Sequence, residues 1–523
     1  MTSAVAELEL SQPATDARTS SLGRGDTLAV SVVVLLVMTV AQRVIGFGRG
    51  VMFCRWLEPE QLGQWDVAFG FLNLAAPLAV IGLPGAFGRY VEYYRYRGQF
   101  HAFLRRTCAV CCASGAIAVA LVIAERQWFS RLVFGTADNS QMMIWVGLCL
   151  AIVIVHNFFL SLFIAVRRYR VVTVLQFVQS LGFAVVGLSL LALWPAATTS
   201  IVIAFALATL VSVAGAWNWL RELMDDEPPD VATCDHAAFW AKLIPFAVWM
   251  WVTNLLVNSF ELVDRYMIVH HGGMSAADAL RQVGYYHSSR LVPLLFVAVA
   301  SLLGSMITPH LSHDWERGQR EAVVRRLNMT LKLLFTGLMA GSLTALVVAP
   351  WMFNIAFQHK FTGGLAVLPW TLTYCVWFGA MSVAQNYLWC VERPGLGCLA
   401  LLIGLVCNVA VNLLLLPRFG LQGAVWATTI ANFITLTLTL AFSRWQGMRV
   451  DRGTWILAGV PLSLAMGVWY AVATLAVTVF LIFATDWLLT GNEKRELRLL
   501  VAGFLQKVVH GWQRWNGHAL DLN

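Results

Sequence analysis

Charge is scarce in this 523-residue chain. Asp, Glu, Lys and Arg supply 12% of it, about half the share of a soluble protein, against 59% hydrophobic residues. With a mean hydropathy of +0.69, that scarcity excludes a soluble globular domain and leaves an all-α polytopic membrane protein. The ten cysteines form no pattern: Cys111 and Cys112 adjoin, and no zinc-type spacing or secreted disulfide framework occurs. Catalytic signatures are missing as well. There is no Walker loop, no G-x-S-x-G, no H-E-x-x-H and no dinucleotide fingerprint. No segment could form a soluble nucleotide-binding domain, and nothing points to nucleic acid. The short outside loops argue against a membrane polysaccharide polymerase or ligase. Residues 1–27 lack an apolar core, so a disordered cytoplasmic tail is expected there and not a cleaved signal.

What the chain does have is apolar runs. A bilayer core of about 30 Å takes roughly 20 helical residues. Runs of that length predict spans near 28–53, 65–88, 102–124, 141–166, 171–194, 199–220, 240–269, 283–308, 329–350, 365–390, 396–416 and 422–443. The last run, Trp455 to Ala484, is long for one helix and short for two. A hairpin is expected there, because only a hairpin returns the basic stretch Glu493 to Arg498 to the inside. That makes about 14 spans. Arginine clusters at Arg95–Arg106, Arg167–Arg170, Glu316–Arg326 and Arg444–Arg452 fall on one side, which puts both termini in the cytoplasm. A net charge of +8 fits contact with anionic lipids or an anionic cargo.

The chain also repeats itself. Gly63 in GQW and Gly284 in GYY each open a span. Gly98 and Gly318 each precede a basic stretch, and Pro195 and Pro417 each end a span. All three pairs share an offset near 220 residues, which predicts two six-helix lobes in parallel pseudo-repeat around a central cavity. The expected boundaries are 28–221 for the N-lobe, 222–239 for an acidic Pro-Pro linker and 240–444 for the C-lobe. A hairpin over 445–489 and an amphipathic cytoplasmic tail over 490–523 follow.

The stretch from Trp240 to His313 carries the most charge within apolar sequence. Asn254, Asn258, Glu261 and Arg265 recur at helical spacing and share a face. Ions at mid-bilayer are costly, so that face fits a polar path, or a plain Glu261–Arg265 pair that steadies the helix. Arg43 on the first span, Arg265 and Arg290 fall at a similar depth, with Arg49 nearer the edge. Arginine stays charged when desolvated and matches phosphate oxygens in pairs, so these four are candidate substrate-binding residues. Arg49 also fits snorkelling to headgroups. Asp264 and Glu261 are candidate coupling carboxylates, and equally fit permanent ion pairing. Asn254, Asn258 and His156 are candidate cavity-lining residues, although His156 also fits ordinary hydrogen-bonded packing. Asp66 reads as a charge near the outer edge of its span. Asn408 and Asn412 share a face and read as helix-to-helix glue.

From Asn408 to Thr428 the chain, NVAVNLLLLPRFGLQGAVWAT, resembles the polysaccharide flippases of the multidrug/oligosaccharidyl-lipid/polysaccharide exporter superfamily. Arg55 to Trp65 resembles the first outside loop of that family, and Asp264-Arg265 matches a charged family position. The resemblance implies transport of an undecaprenyl-pyrophosphate-linked oligosaccharide across the inner membrane, without a cofactor and driven by a proton or sodium gradient. Membrane lipids, a polysaccharide polymerase and chain-length proteins are the implied partners. A multidrug exporter of the same fold remains the alternative.

Overall fold

The computed structural model describes residues 28–194, 197–230, 235–491, 493–495 and 497–499, with the backbone alone at 28–36 and 197. The expected N-terminal tail, Pro195 and residues 500–523 of the C-terminal tail lie outside the described residues. Every regular element among the described residues is helical.

The N-lobe runs α1 (Leu28–Trp56), α2 (Pro59–Ala79), a 3-10 turn (Leu83–Ala86), α3 (Phe87–Tyr96), α4 (Phe100–Ala124), α5 (Arg126–Phe134), α6 (Ser140–Ala165), α7 (Tyr169–Leu193) and α8 (Ala197–Asp226). The C-lobe follows as α9 (His236–His271), α10 (Ala276–Arg290), α11 (Pro293–Glu316), α12 (Arg320–Trp351), a π turn (Met352–Ala356), α13 (Thr362–Cys390), α14 (Pro394–Phe419) and α15 (Leu421–Trp445). Three shorter helices close the described chain: α16 (Arg452–Gly459), α17 (Leu462–Ala465) and α18 (Val468–Ala484). Ten described helices are long and apolar enough to cross a membrane, or eleven if α2 and α3, bent by 66°, count as one.

Two spans differ from the sequence reading. The run placed at 283–308 is two helices, because Pro293 has no N–H to donate and α10 stops at Arg290. Arg290 thereby sits in the last turn of a helix, where free carbonyls favour a cation. The hairpin over Trp455 to Ala484 is also shallower than a pair of full spans. α16 has 8 residues, about 12 Å, and α17 only 4. Both ends of this hairpin return to Lys332 of α12. Its ammonium, 2% exposed, lies 2.9 Å from Asp451 and 2.9 Å from Glu493.

The repeat is visible in the backbone. Gly98 and Gly318 both take left-handed φ, 62° and 74°, in matching turns. The two lobes meet where α2 crosses α10, among the most extensive helix contacts in the molecule. A Cβ on Gly63 would overlap the Leu280 carbonyl oxygen, and one on Gly284 that of Pro59. Small residues let the backbones touch without side chains between them. Inside the N-lobe, Trp65, Phe69, Phe183 and Phe205 interlock with ring centroids 5.1–5.8 Å apart.

Candidate functional site

α9 carries the site. Asp264 is buried and faces α14 and α15. Its Oδ1 accepts from Asn408 Nδ2 at 3.0 Å and Asn412 Nδ2 at 3.1 Å. Its Oδ2 accepts from Thr428 Oγ1 at 2.6 Å and Tyr286 Oη at 3.1 Å. An ionised carboxylate only accepts, and two donors on each oxygen match its lone pairs. Tyr286 Oη is in turn 2.9 Å from Tyr374 Oη. Asn408 Oδ1 accepts from Asn412, whose own Oδ1 has no partner among the described residues. The i, i+4 spacing of the two asparagines was legible in sequence. That they clasp a carboxylate 144 residues away was not.

One residue on, Arg265 turns the other way. Its Nε lies 2.7 Å from Asp66 Oδ2 on α2. The other Asp66 oxygen is 2.7 Å from His287 Nδ1 on α10. Asp66 is therefore no edge charge. It is buried between the lobes and holds two C-lobe groups at once. Burying a carboxylate requires such partners, and Arg265 supplies the charge. Glu261 is left unpaired by Arg265; it is exposed and faces a different wall.

Arg290 is 8% exposed and lies over the Tyr286 ring at 5.2 Å. Its Nε has no hydrogen-bond partner, and no carboxylate stands within ion-pair distance of it among the described residues. Glu261, Asp264, Tyr286, Arg290, Tyr374 and Thr428 share the lining of a cavity of about 50 Å³. The cavity is enclosed by α9, α10, α11, α13 and α15, all of the C-lobe. Arg290 is thus a buried guanidinium in a cavity that also holds the carboxylates of Glu261 and Asp264, and Asp66 and Glu261 act on its charge from beyond ion-pair distance.

The remaining candidates lie elsewhere. Arg43 is exposed on α1 and pairs with no carboxylate among the described residues. Arg49 stacks on Phe183 of α7, with 4.1 Å from guanidinium carbon to ring centroid. Asn254 is exposed, and Asn258 Nδ2 bonds the Asn254 carbonyl on its own helix at 2.9 Å. His156 does not line the cavity. It is buried where α6 meets α8, its Nε2 3.2 Å from Ser212 Oγ. Its environment is that of a satisfied packing residue, since Ser212 is anchored in turn to the Leu175 carbonyl.

Comparison with known proteins follows the same lines. The family described as "Polysaccharide biosynthesis protein" matches residues 28–313. The lipid II flippase MurJ of Bacillus subtilis (strain 168) is 19% identical over 437 residues, 77% of this chain and 80% of that protein. A solved structure of lipid II flippase MurJ in an inward closed conformation shares the fold. Its TM-score is 0.61 at 12% identity, over 86% of this chain and 99% of that one. An inward-facing multidrug resistance MATE family transporter of the MOP superfamily also has a TM-score of 0.61, at 13% identity, over 77% and 94%.

Proposed function

The chain belongs to the polysaccharide biosynthesis protein family, and from that premise we propose that it is a flippase for a polyprenyl-pyrophosphate-linked oligosaccharide. It turns the lipid-linked head from the inner to the outer leaflet of the cytoplasmic membrane by alternating access between its lobes. No covalent bond is made or broken. Both termini face the cytoplasm, and a polymerase and chain-length proteins take up the cargo outside.

Arg290 carries this reading. A guanidinium buried over the Tyr286 ring, with Glu261 and Asp264 on the same cavity but none at ion-pair distance from it, has its paired fork free for the oxygens of a diphosphate. Arg265 joins it once Asp66 lets go, and Arg43 and Arg49 extend the basic path along α1. Asp264, with Glu261 on the same cavity, couples this movement to a proton or sodium ion. Four donors fill its oxygens in this arrangement, so taking up the ion requires the amides of Asn408 and Asn412 or the hydroxyls of Thr428 and Tyr286 to turn aside.

The test is replacement of Arg290. Arg290→Ala is expected to stop polymer at the cell surface and accumulate the lipid-linked intermediate, with membrane protein level unchanged. Arg290→Lys keeps the charge but loses the paired fork, and is expected to restore export in part. Normal polymer from Arg290→Ala removes the reading.

A further inference from the structure

The seam between the lobes has a permanent hold and a titratable one, and both grip the same carboxylate. Arg265 of α9 is the permanent hold, with Nε 2.7 Å from Asp66 Oδ2. A guanidinium keeps its charge at any pH a cell meets. His287 of α10 is the other, with Nδ1 2.7 Å from Asp66 Oδ1. An ionised carboxylate only accepts, so Nδ1 carries a proton there. That fixes the ring and leaves Nε2, which has no hydrogen-bond partner among the described residues. The side chain of His287 is 21% exposed, against 3% for Asp66. Histidine is the side chain whose ordinary titration falls between about pH 5 and pH 8. A proton arriving at Nε2 turns a hydrogen bond from a neutral ring into one from a cation, which is markedly stronger.

The surrounding charge has room for that proton. α2 brings Asp66 to His287, and α9 brings Arg265 together with Asp264 and Glu261. α10 itself adds Arg290, whose charge is felt at Asp66. α13 supplies only Tyr374, bonded to Tyr286. The ionisable residues of α11 and α15 stand at the ends away from this seam, from His310 onward and at Arg444. On α2, Glu60 lies in the first turn, and Glu58 just before the helix is held by Lys360 at 3.0 Å. Neither Glu261 nor Asp264 has a cation at ion-pair distance among the described residues. Asp66, Glu261 and Asp264 are thus set against Arg265 and Arg290 alone, and a protonated His287 makes the charges even. A poorly solvated site favours such balance.

We infer that His287 is a proton-binding site on the lobe seam, and that the proton held there fastens α10 to α2. A closed seam, with Asp66 alongside, binds the proton more tightly than a parted one. By linkage, acid therefore closes the seam and alkali loosens it. Its use rests on the transport reading above: a proton taken up at a parted seam returns the emptied carrier to the arrangement seen here. His287 and Asp264 are then separate titrating groups, one between the lobes and one inside the C-lobe.

The experiment needs no cargo. The full chain is placed in nanodiscs of phosphatidylethanolamine and phosphatidylglycerol. Spin labels are attached through ketone amino acids at Leu193 of α7 and Arg281 of α10, both exposed and one on each lobe. Ketone chemistry leaves the native cysteines untouched. Pulsed EPR distances are recorded from about pH 5.5 to about pH 8. The ratio of closed to parted seam is expected to fall about tenfold or more as pH rises, within the range usual for coupled sites. In His287→Gln, whose amide still donates but cannot titrate, the ratio is expected to stay constant. His287→Asn is a second variant of the same kind, should the first fail to fold. A constant ratio in the parent chain overturns the inference. So does a pH response that survives in either variant, since it then belongs to another group. Loss of the inference leaves the flippase reading in place, because that reading stands or falls on Arg290→Ala.

Discussion

Asp66 and His287 are 221 positions apart in the chain and 2.7 Å apart in space. Gly63 and Gly284, at the same separation, touch the opposing backbone three residues earlier on each helix. The two halves of the duplicated fold therefore meet at equivalent positions, with the local two-fold running through the α2–α10 crossing. At that crossing the repeat has diverged in charge: a carboxylate on one side, an imidazole on the other, and Arg265 reaching in from α9.

The Asp66–Arg265 pair is buried, so removing one member is expected to cost more than removing both. Asp66→Asn or Arg265→Gln alone should lower thermal stability in detergent by about 3–5 kcal/mol of unfolding free energy. The double variant should recover a large part of it. Additive losses in a double-mutant cycle would mean the two charges do not hold the lobes together.

Close backbone approach makes a second expectation sharp. Gly63→Ala and Gly284→Ala each force a methyl group against a carbonyl and should cost about 1–3 kcal/mol by overpacking. Gly337→Ala, with open space around it, is the control and should leave the melting temperature unchanged or slightly raised. Equal melting curves for all three would contradict the crossing as described.

Much of this was legible in the chain beforehand, and the limits have physical causes. Apolar run length gave the helices, and the shared offset of Gly63 and Gly284 gave two related halves. Helical spacing singled out α9, and charge within apolar sequence singled out Asp264, Arg265 and Arg290. Partners were a different matter. Glu261 and Arg265 are near neighbours on one helix, yet Arg265 chose Asp66, because a buried carboxylate nearly 200 positions away competes better than an exposed one four residues off. His156 looked like a lone polar residue within a span until Ser212 supplied its partner. Periodicity reports which face a side chain occupies, and says nothing of what stands opposite.

Asp264→Asn tests the coupling role proposed for this carboxylate. One amide oxygen cannot accept four hydrogen bonds, and the amide nitrogen would confront the donors of Asn408 or Thr428. Export in reconstituted vesicles should lose most of its response to an imposed proton or sodium gradient. An unchanged response would leave Asp264 as a structural clasp.

Lys332 offers a prediction away from the cavity at Asp264 and Arg290. Lys332→Met strands Glu493 in a buried place and should destabilise the protein by about 3–5 kcal/mol, whereas Lys332→Met with Glu493→Gln should be far milder. Protease sensitivity of the segment after Asp451 is the direct readout. If the single variant resists cleavage as well as the parent does, the ammonium is not what fastens the hairpin.

The contact at Gly63 and Gly284 also limits how the protein can open on that side. Interlocked side chains can loosen in stages, rotamer by rotamer, leaking water and ions as they do. Two backbones pressed together have no such intermediate settings. Passage of any bulky solute on that side therefore demands that α2 and α10 part as rigid bodies, in a single step, and until then the membrane stays tight.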